Sequence, residues 1–257
     1  MKVIAKKRFG QNFLRDENIL HKIATAIDIN DEKIIEIGPG EGALTKYLIN
    51  NTKQVVAFEI DYDLVKLLNE KFNSTKNLEI INQDFLKVDL SQYHGYKIVA
   101  NIPYYISTDI LFKIFENSHL FDEIILLVQK EFAQRVCAHL SQKDYGKLSI
   151  TTNIFYTPKI LFDVSPTAFS PQPKVVSSVI YLKRKNWSLA PEEKRKFSEF
   201  IKKSFAMKRK TLINNLKKEY ELAKIETFLK EQNLNLQIRP EQISFELFFR
   251  LFMFLTC

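Results

Sequence analysis

The first half of the chain alternates two kinds of apolar pattern. Short, nearly continuous apolar runs recur as KIIEIG (33–38), QVVAFEI (54–60), LEIINQD (78–84), YKIVANIP (96–103) and EIILLVQ (123–129). Their length and β-branched content predict buried strands. Between them, ALTKYLI (43–49), DYDLVKLLNEKF (61–72), a segment near 107–117 and another from Lys130 to about 140 have helical character. Ser107 or Thr108 stands where a side chain can cap the third of these helices. Strands alternating with helices imply right-handed crossovers and a largely parallel sheet covered on both faces.

The pattern changes at Leu148. Two β-rich stretches, LSITTNIFY and KVVSSVIYL, flank the proline-punctuated FDVSPTAFSPQPK, which predicts a closing antiparallel strand pair around a rigid, exposed loop. Beyond Lys185, Phe197, Phe200, Ile201, Ser204 and Phe205 recur at helical spacing, and Leu212, Ile213 and Leu216 follow. The expected fold is α/β, with a mostly parallel seven-stranded sheet in residues 1–187 and a small all-α domain in 188–257. The apolar end, ISFELFFRLFMFLTC, is too short to span a bilayer and carries Glu246 and Arg250, so it is expected to be a buried helix.

Charge adds a local surface to this picture. The formal net charge is +8, yet residues 181–218 hold thirteen Lys or Arg against three acids, so the basicity is regional. A polyanionic partner is implied. Lys194–Lys196 fit an ordinary solvated helix face, whereas Lys208, Arg209 and Lys210 are adjacent cations that cannot all pair locally. Lys130 and Glu131 are expected to pair. The two cysteines, Cys137 and Cys257, match no metal-ligand spacing and fit a reducing cytosol, and the four histidines form no evident cluster. The basic start has no apolar stretch of the secretory kind.

Candidate chemistry gathers at strand ends. GPGEG (38–42) follows the first long strand, where Gly38 and Gly40 allow a tight turn and close backbone approach to a ligand. Glu59 follows Gly38 by 21 residues, the place where a doubly wound fold sets a carboxylate on ribose hydroxyls. Nicotinamide enzymes share that feature. The spacing G-x-G-x-G and a further acid, Asp84, after the third of these strands point away from them, since an acid there can accept from an adenine amino group. Asp84 would serve equally as a helix cap. Asn101-Ile102-Pro103-Tyr104 closes the fourth strand, where an amide oxygen, a rigid backbone carbonyl and an aromatic ring could together hold a planar base with an exocyclic amine.

The strings KKRFGQNFL, EIGPGEGALT, AFEID, NQDF, NIPYYIS, LLVQKEFAQRV, YGKLS, FSPQPKVVSS and MKRKTL, taken in order, closely resemble the KsgA/RsmA family of small-subunit ribosomal RNA adenine dimethyltransferases. The match runs from about Lys6 to Leu212. The resemblance implies a class I Rossmann-like methyltransferase domain and a helical C-terminal domain. It also implies metal-free transfer of two methyls from S-adenosylmethionine to each of two adjacent adenosines near the 3′ end of 16S rRNA, leaving S-adenosylhomocysteine. By the same resemblance, Gln11, Asn12, Leu14, Gly38, Gly40, Glu59, Ile60, Asp84, Phe85 and Asn101 would line the cofactor site. Asn101, Pro103 and Tyr104 would hold the target adenine, with Phe169 stacking from the other side. Lys6, Lys7, Arg8 and Lys208–Lys210 would meet RNA phosphate. A cytoplasmic monomer acting on the 30S subunit or its precursor, with no membrane partner, is the corresponding expectation. The sister Erm family, which methylates 23S rRNA, shares most of these motifs; Phe9-Gly10 and Gly42–Thr45 look more like KsgA. A non-catalytic RNA-binding assembly factor on the same fold and, more remotely, a nicotinamide-dependent oxidoreductase are the competing functions.

Overall fold

The computed structural model describes residues 12–187 and 189–256. Gln11, Lys6, Lys7 and Arg8 lie outside the described residues.

Five strands, β2 (Lys33–Ile37), β3 (Gln54–Glu59), β4 (Leu78–Asn82), β5 (Lys97–Asn101) and β6 (Glu123–Gln129), pair in parallel in the order β4-β3-β2-β5-β6. Strands β9 (Ser177–Arg184) and β7 (Tyr156–Val164) extend the sheet beyond β6, and β9 runs antiparallel to β6. The central strands are apolar on both faces because both are covered; β4, at the sheet edge, is mostly only half-buried. Helices α2 (Thr45–Leu48), α3 (Tyr62–Lys71) and α4 (Ser107–Glu116) make the crossovers. From β2 the chain steps outward one way to β3 and β4, then returns to build β5 and β6 on the other side. Order therefore reverses between β2 and β5, and that reversal opens a crevice at the carboxyl ends of the strands.

A short strand, β1 (Phe13–Leu14), pairs antiparallel with β8 (Phe169–Ser170), with Leu14 opposite Phe169. Helix α1 (Glu17–Ala24) follows, capped by the Asp16 carboxylate, which accepts from the N–H groups of Asn18 and Ile19. Leu20, Ile23 and Ala24 of α1 join Leu48, Val55 and Val99 in the core on this side of the sheet.

Three local expectations need correction. LSITTNIFY is not a strand: Lys147–Phe155 forms helix α6, and the strand begins at Tyr156. Its β-branched residues suggested extended chain, yet Ser149, Ile150, Thr151 and Thr152 are all buried within a helix covered on nearly all sides. Their polar atoms stay satisfied locally, since the Thr152 hydroxyl donates to the Leu148 carbonyl at 2.8 Å and the Gly146 N–H donates to the Ser149 hydroxyl at 3.0 Å. Burial has overridden intrinsic propensity. Neither Ser107 nor Thr108 caps α4; the Ser107 hydroxyl donates instead to the Pro103 carbonyl. The helix after β6, α5 (Lys130–Cys137), stops short of residue 140.

The compact units also divide differently from the expected 1–187 and 188–257. One unit runs to Ala133 and resumes over Pro158–Arg184; the other takes Gln134–Thr157 together with the chain from Lys185 onward. The second unit holds α6, α7 (Pro191–Ser204), α8 (Leu212–Leu216), α9 (Leu222–Glu231) and α10 (Phe245–Thr256). Its core is aromatic: Phe197 lies 5.1 Å from Phe252 and 5.5 Å from Phe249, ring centre to ring centre, and Trp187 lies 5.1 Å from Phe249. Among the described residues, no helix is long and apolar enough to cross a membrane.

Candidate active site

Each of the motif residues Gly38, Glu59, Asp84 and Asn101 stands at or just beyond the carboxyl end of a parallel strand, so residues 63 positions apart in sequence converge on one crevice. There a cavity of about 270 Å³ is lined by Asn12, Leu14, Gly38, Gly40, Glu59, Ile60, Asp84, Phe85, Asn101, Pro103 and Tyr104.

The glycine turn is held by the acid that follows it. Gly38 and Gly40 adopt φ of +66° and +61°, a region costly for other residues. The Gly40 N–H donates to Glu59 Oε2 at 3.1 Å, and the Asp61 N–H donates to Oε1 at 2.9 Å. Burial raises the Glu59 pKa above its ordinary value, although these two backbone donors pull it back. From above, the Phe13 ring comes so near that a Cβ on Gly40 would sit 3.1 Å from it. Arg15, next along the strap, forms an ion pair with Glu41 at 2.5 Å.

On the far wall Asp84 caps a short 3-10 turn, Phe85–Lys87, accepting the Leu86 N–H on Oδ1 at 3.0 Å. It is thus a cap and a cavity residue at once. Asn101 ends β5 half-buried, and no described residue hydrogen-bonds its side-chain amide. The Pro103 carbonyl accepts from the Ile106 N–H and the Ser107 hydroxyl, locking the turn into α4. The Tyr104 hydroxyl meets the Ser177 hydroxyl at 2.6 Å, which fixes its ring against the start of β9. Burial raises the Tyr104 pKa, with the Ser177 bond opposing.

A scan against known families matches residues 3–256 to the family described as ribosomal RNA adenine dimethylase. The chain belongs to the ribosomal RNA adenine dimethylase family. A ribosomal RNA small subunit methyltransferase A from Mycoplasmopsis pulmonis is 46% identical, over 97% of this chain and 98% of the relative. One of the same name from Streptococcus gordonii is 41% identical over 96% and 90%. Among solved structures, the 23S rRNA methyltransferase ErmE is similar at a TM-score of 0.77 and 27% identity, covering 96% of this chain and 100% of that one. A dimethyladenosine transferase from Plasmodium falciparum gives 0.76 and 25%, over 93% and 95%. The chain is accordingly an enzyme, a methyltransferase with the Rossmann-like α/β fold of this class.

In this dimethylase two of the residues considered from the sequence stand elsewhere than expected. Phe169 is not on the cavity wall; pairing of β8 with β1 seats it, 3% exposed, in the core with Leu14 and Leu20. Lys130 pairs with Asp163 at 2.6 Å rather than with Glu131. Lys208, Arg209 and Lys210 are exposed and make no ion pair with any described residue. The wall also holds residues not singled out from the sequence, among them Phe13, Gln83, Tyr105 and Glu36. Glu36 had a signal: it is the single charge within the otherwise apolar stretch 34–37. It is 1% exposed, accepts the Thr45 hydroxyl on Oε2 at 2.7 Å, and burial raises its pKa to about 8.

Proposed function

We propose that this dimethylase transfers methyl groups from S-adenosylmethionine to N6 of two adjacent adenosines near the 3′ end of 16S rRNA, in the small ribosomal subunit or its precursor. The observation that carries this reading is the convergence of the Asn101–Tyr104 turn with Glu59 and the glycine turn on one cavity.

The lining suits the cofactor chemically. Glu59 retains acceptor capacity for ribose hydroxyls, Asp84 offers a carboxylate to the adenine amino group, and Ile60 and Phe85 supply apolar surface for a purine. Asn12, Leu14, Gly38, Gly40 and Asn101 would complete the site. When bound, the cofactor supplies an electrophilic methyl on a sulfonium sulfur.

The protein's own task is to prepare the nucleophile. The N6 lone pair is delocalised into the purine ring, and acceptors for both N6 hydrogens favour the more nucleophilic, tetrahedral nitrogen. Asn101 Oδ1 supplies one acceptor. The Pro103 carbonyl is occupied by its own turn, so the Ile102 carbonyl is the better candidate for the second. Tyr104, steadied by Ser177, stacks on the base, worth about 1–3 kcal/mol. Holding N6 in line with the donor contributes further acceleration. The target base leaves its stack to enter, at lower cost in a hairpin loop than in a duplex. Lys208, Arg209 and Lys210 neutralise RNA phosphate. On this reading the enzyme works as a monomer in the cytoplasm, where its substrate is assembled.

The likeness to ErmE favours one alternative target, 23S rRNA, whereas 40–46% identity to small-subunit enzymes supports the 16S reading. Tritium transfer from labelled S-adenosylmethionine to immature 30S particles, mapped by primer extension, tests both. Label at two adjacent adenosines of 16S rRNA is expected; label confined to 23S rRNA in parallel reactions overturns the proposal.

A further inference from the structure

Of the two buried carboxylates on the cavity wall, Glu59 accepts on both oxygens, whereas Glu36 has a single hydrogen-bond partner among the described residues. It sits on β2 between β3 and β5, 1% exposed. Thr45 of α2 donates to Oε2 at 2.7 Å. Oε1 has no hydrogen-bond partner among the described residues, and Glu36 lines the cavity. A buried carboxylate in this position is costly unless it is neutral or meets a cation.

Among the described residues, none supplies that cation at close range. From the end of β3, Glu59 adds a like charge. From α3, Lys71 acts favourably but weakly, and its ammonium donates to the Glu41 carbonyl at 2.8 Å. From α2 comes the uncharged Thr45, and from the end of β5 the uncharged Asn101. Burial is the dominant influence and favours the protonated acid.

We infer that Glu36 carries a proton while the cavity is empty and releases it to solvent when a cofactor with a cationic group binds, so that Oε1 becomes the anionic partner of that cation. One O–H bond breaks, the proton goes to buffer, and an ion pair replaces a neutral acid. An opposite charge placed within a few ångströms favours ionisation of a buried carboxyl. The inference rests on the S-adenosylmethionine reading of the cavity and adds a proton to its binding equilibrium. Binding should then be weaker in acid without any change in the shape of the site.

Calorimetric titration of the full-length protein tests this, with S-adenosylhomocysteine and S-adenosylmethionine as probes. Enthalpies would be compared at pH 7 in phosphate and Tris, which differ in heat of ionisation. Release of nearly one proton per bound ligand is expected, with Kd tightening about tenfold from pH 6 to pH 7. Release with both ligands identifies the ammonium as the cation; release with S-adenosylmethionine alone identifies the sulfonium. Glu36→Gln keeps an acceptor for Thr45 but cannot ionise. It should lose that share of the proton release, bind about tenfold more weakly at pH 8 and show a flatter pH profile. Because each ligand's own ionisation is common to both proteins, the difference belongs to Glu36. Buffer-independent enthalpy with both ligands in the wild type overturns the inference whether or not the variant folds, as does equal release by a folded variant. Absence of any binding to wild type overturns the cofactor reading as well, so the two failures are distinguishable.

Discussion

The backbone N–H of Gly40 donates to the Glu59 carboxylate at 3.1 Å, joining two strand ends that lie 19 residues apart. One carboxylate thereby shapes the glycine turn and faces the cavity that the turn borders. Glu59→Ala would leave the Gly40 and Asp61 N–H groups without this acceptor. A loss of about 1–3 kcal/mol in urea unfolding is expected, together with at least tenfold weaker binding of S-adenosylhomocysteine by calorimetry.

Asn101→Ala removes an amide that no described residue holds in place. Stability should stay near wild type, and S-adenosylhomocysteine affinity should fall by far less than methyl transfer. Methyl transfer should fall by about 10²–10³, the range for losing one preorganised polar contact to the reacting group. Single-turnover transfer to 30S particles, beside a binding titration, would show the split.

Tyr104 serves through its ring and is oriented through its hydroxyl, 2.6 Å from that of Ser177. Tyr104→Phe and Ser177→Ala should each cost about 0.5–1.5 kcal/mol, and the double variant little more than either. Tyr104→Ala should instead lower kcat/KM by about ten- to a hundredfold through lost stacking. A double-mutant cycle in unfolding, with steady-state kinetics alongside, separates the two roles.

The buried Glu36 gives stability a pH dependence of definite sign. Unfolded, it ionises near 4.5; folded, near 8. Between those values the native state binds more protons than the unfolded state, so its contribution to stability falls as pH rises. The slope is about 1.4 kcal/mol per pH unit at most. Glu36→Gln lacks this loss and should be the more stable protein at pH 8, by about 2–4 kcal/mol, with the gap closing toward pH 5. Urea unfolding of both proteins at pH 5, 6.5 and 8 measures it.

Alanines at Lys208, Arg209 and Lys210 should weaken RNA binding in proportion across sequences and leave the choice of adenosine unchanged. The slope of log Kd against log salt should fall by about 2, since each lost phosphate contact contributes about 0.7–0.9. Filter binding over a salt series would reveal it.

Much of the site could be read from the chain because its chemistry is local to strand ends. Gly38, Glu59, Asp84 and Asn101 each follow an apolar run, and parallel strands necessarily deliver such residues to one edge. Glu36 was less legible. A charge within a buried strand marks something unusual, but only the pairing of β2 between β3 and β5 shows that it reaches the cavity. The packing of Phe169 was not legible, because the FSPQP string says nothing of β8 pairing with β1, which turns the ring into the core.

By itself the sequence determined the alternation of strands and helices, the turn chemistry at the glycines and the family, because these depend on residue types at short range. The tertiary structure alone decided that LSITTNIFY is a helix, that Gln134–Thr157 joins the C-terminal unit, and which side chains face the cavity. Those outcomes depend on what each segment is buried against, and burial free energy outweighs the small intrinsic preference of a β-branched residue for extended chain.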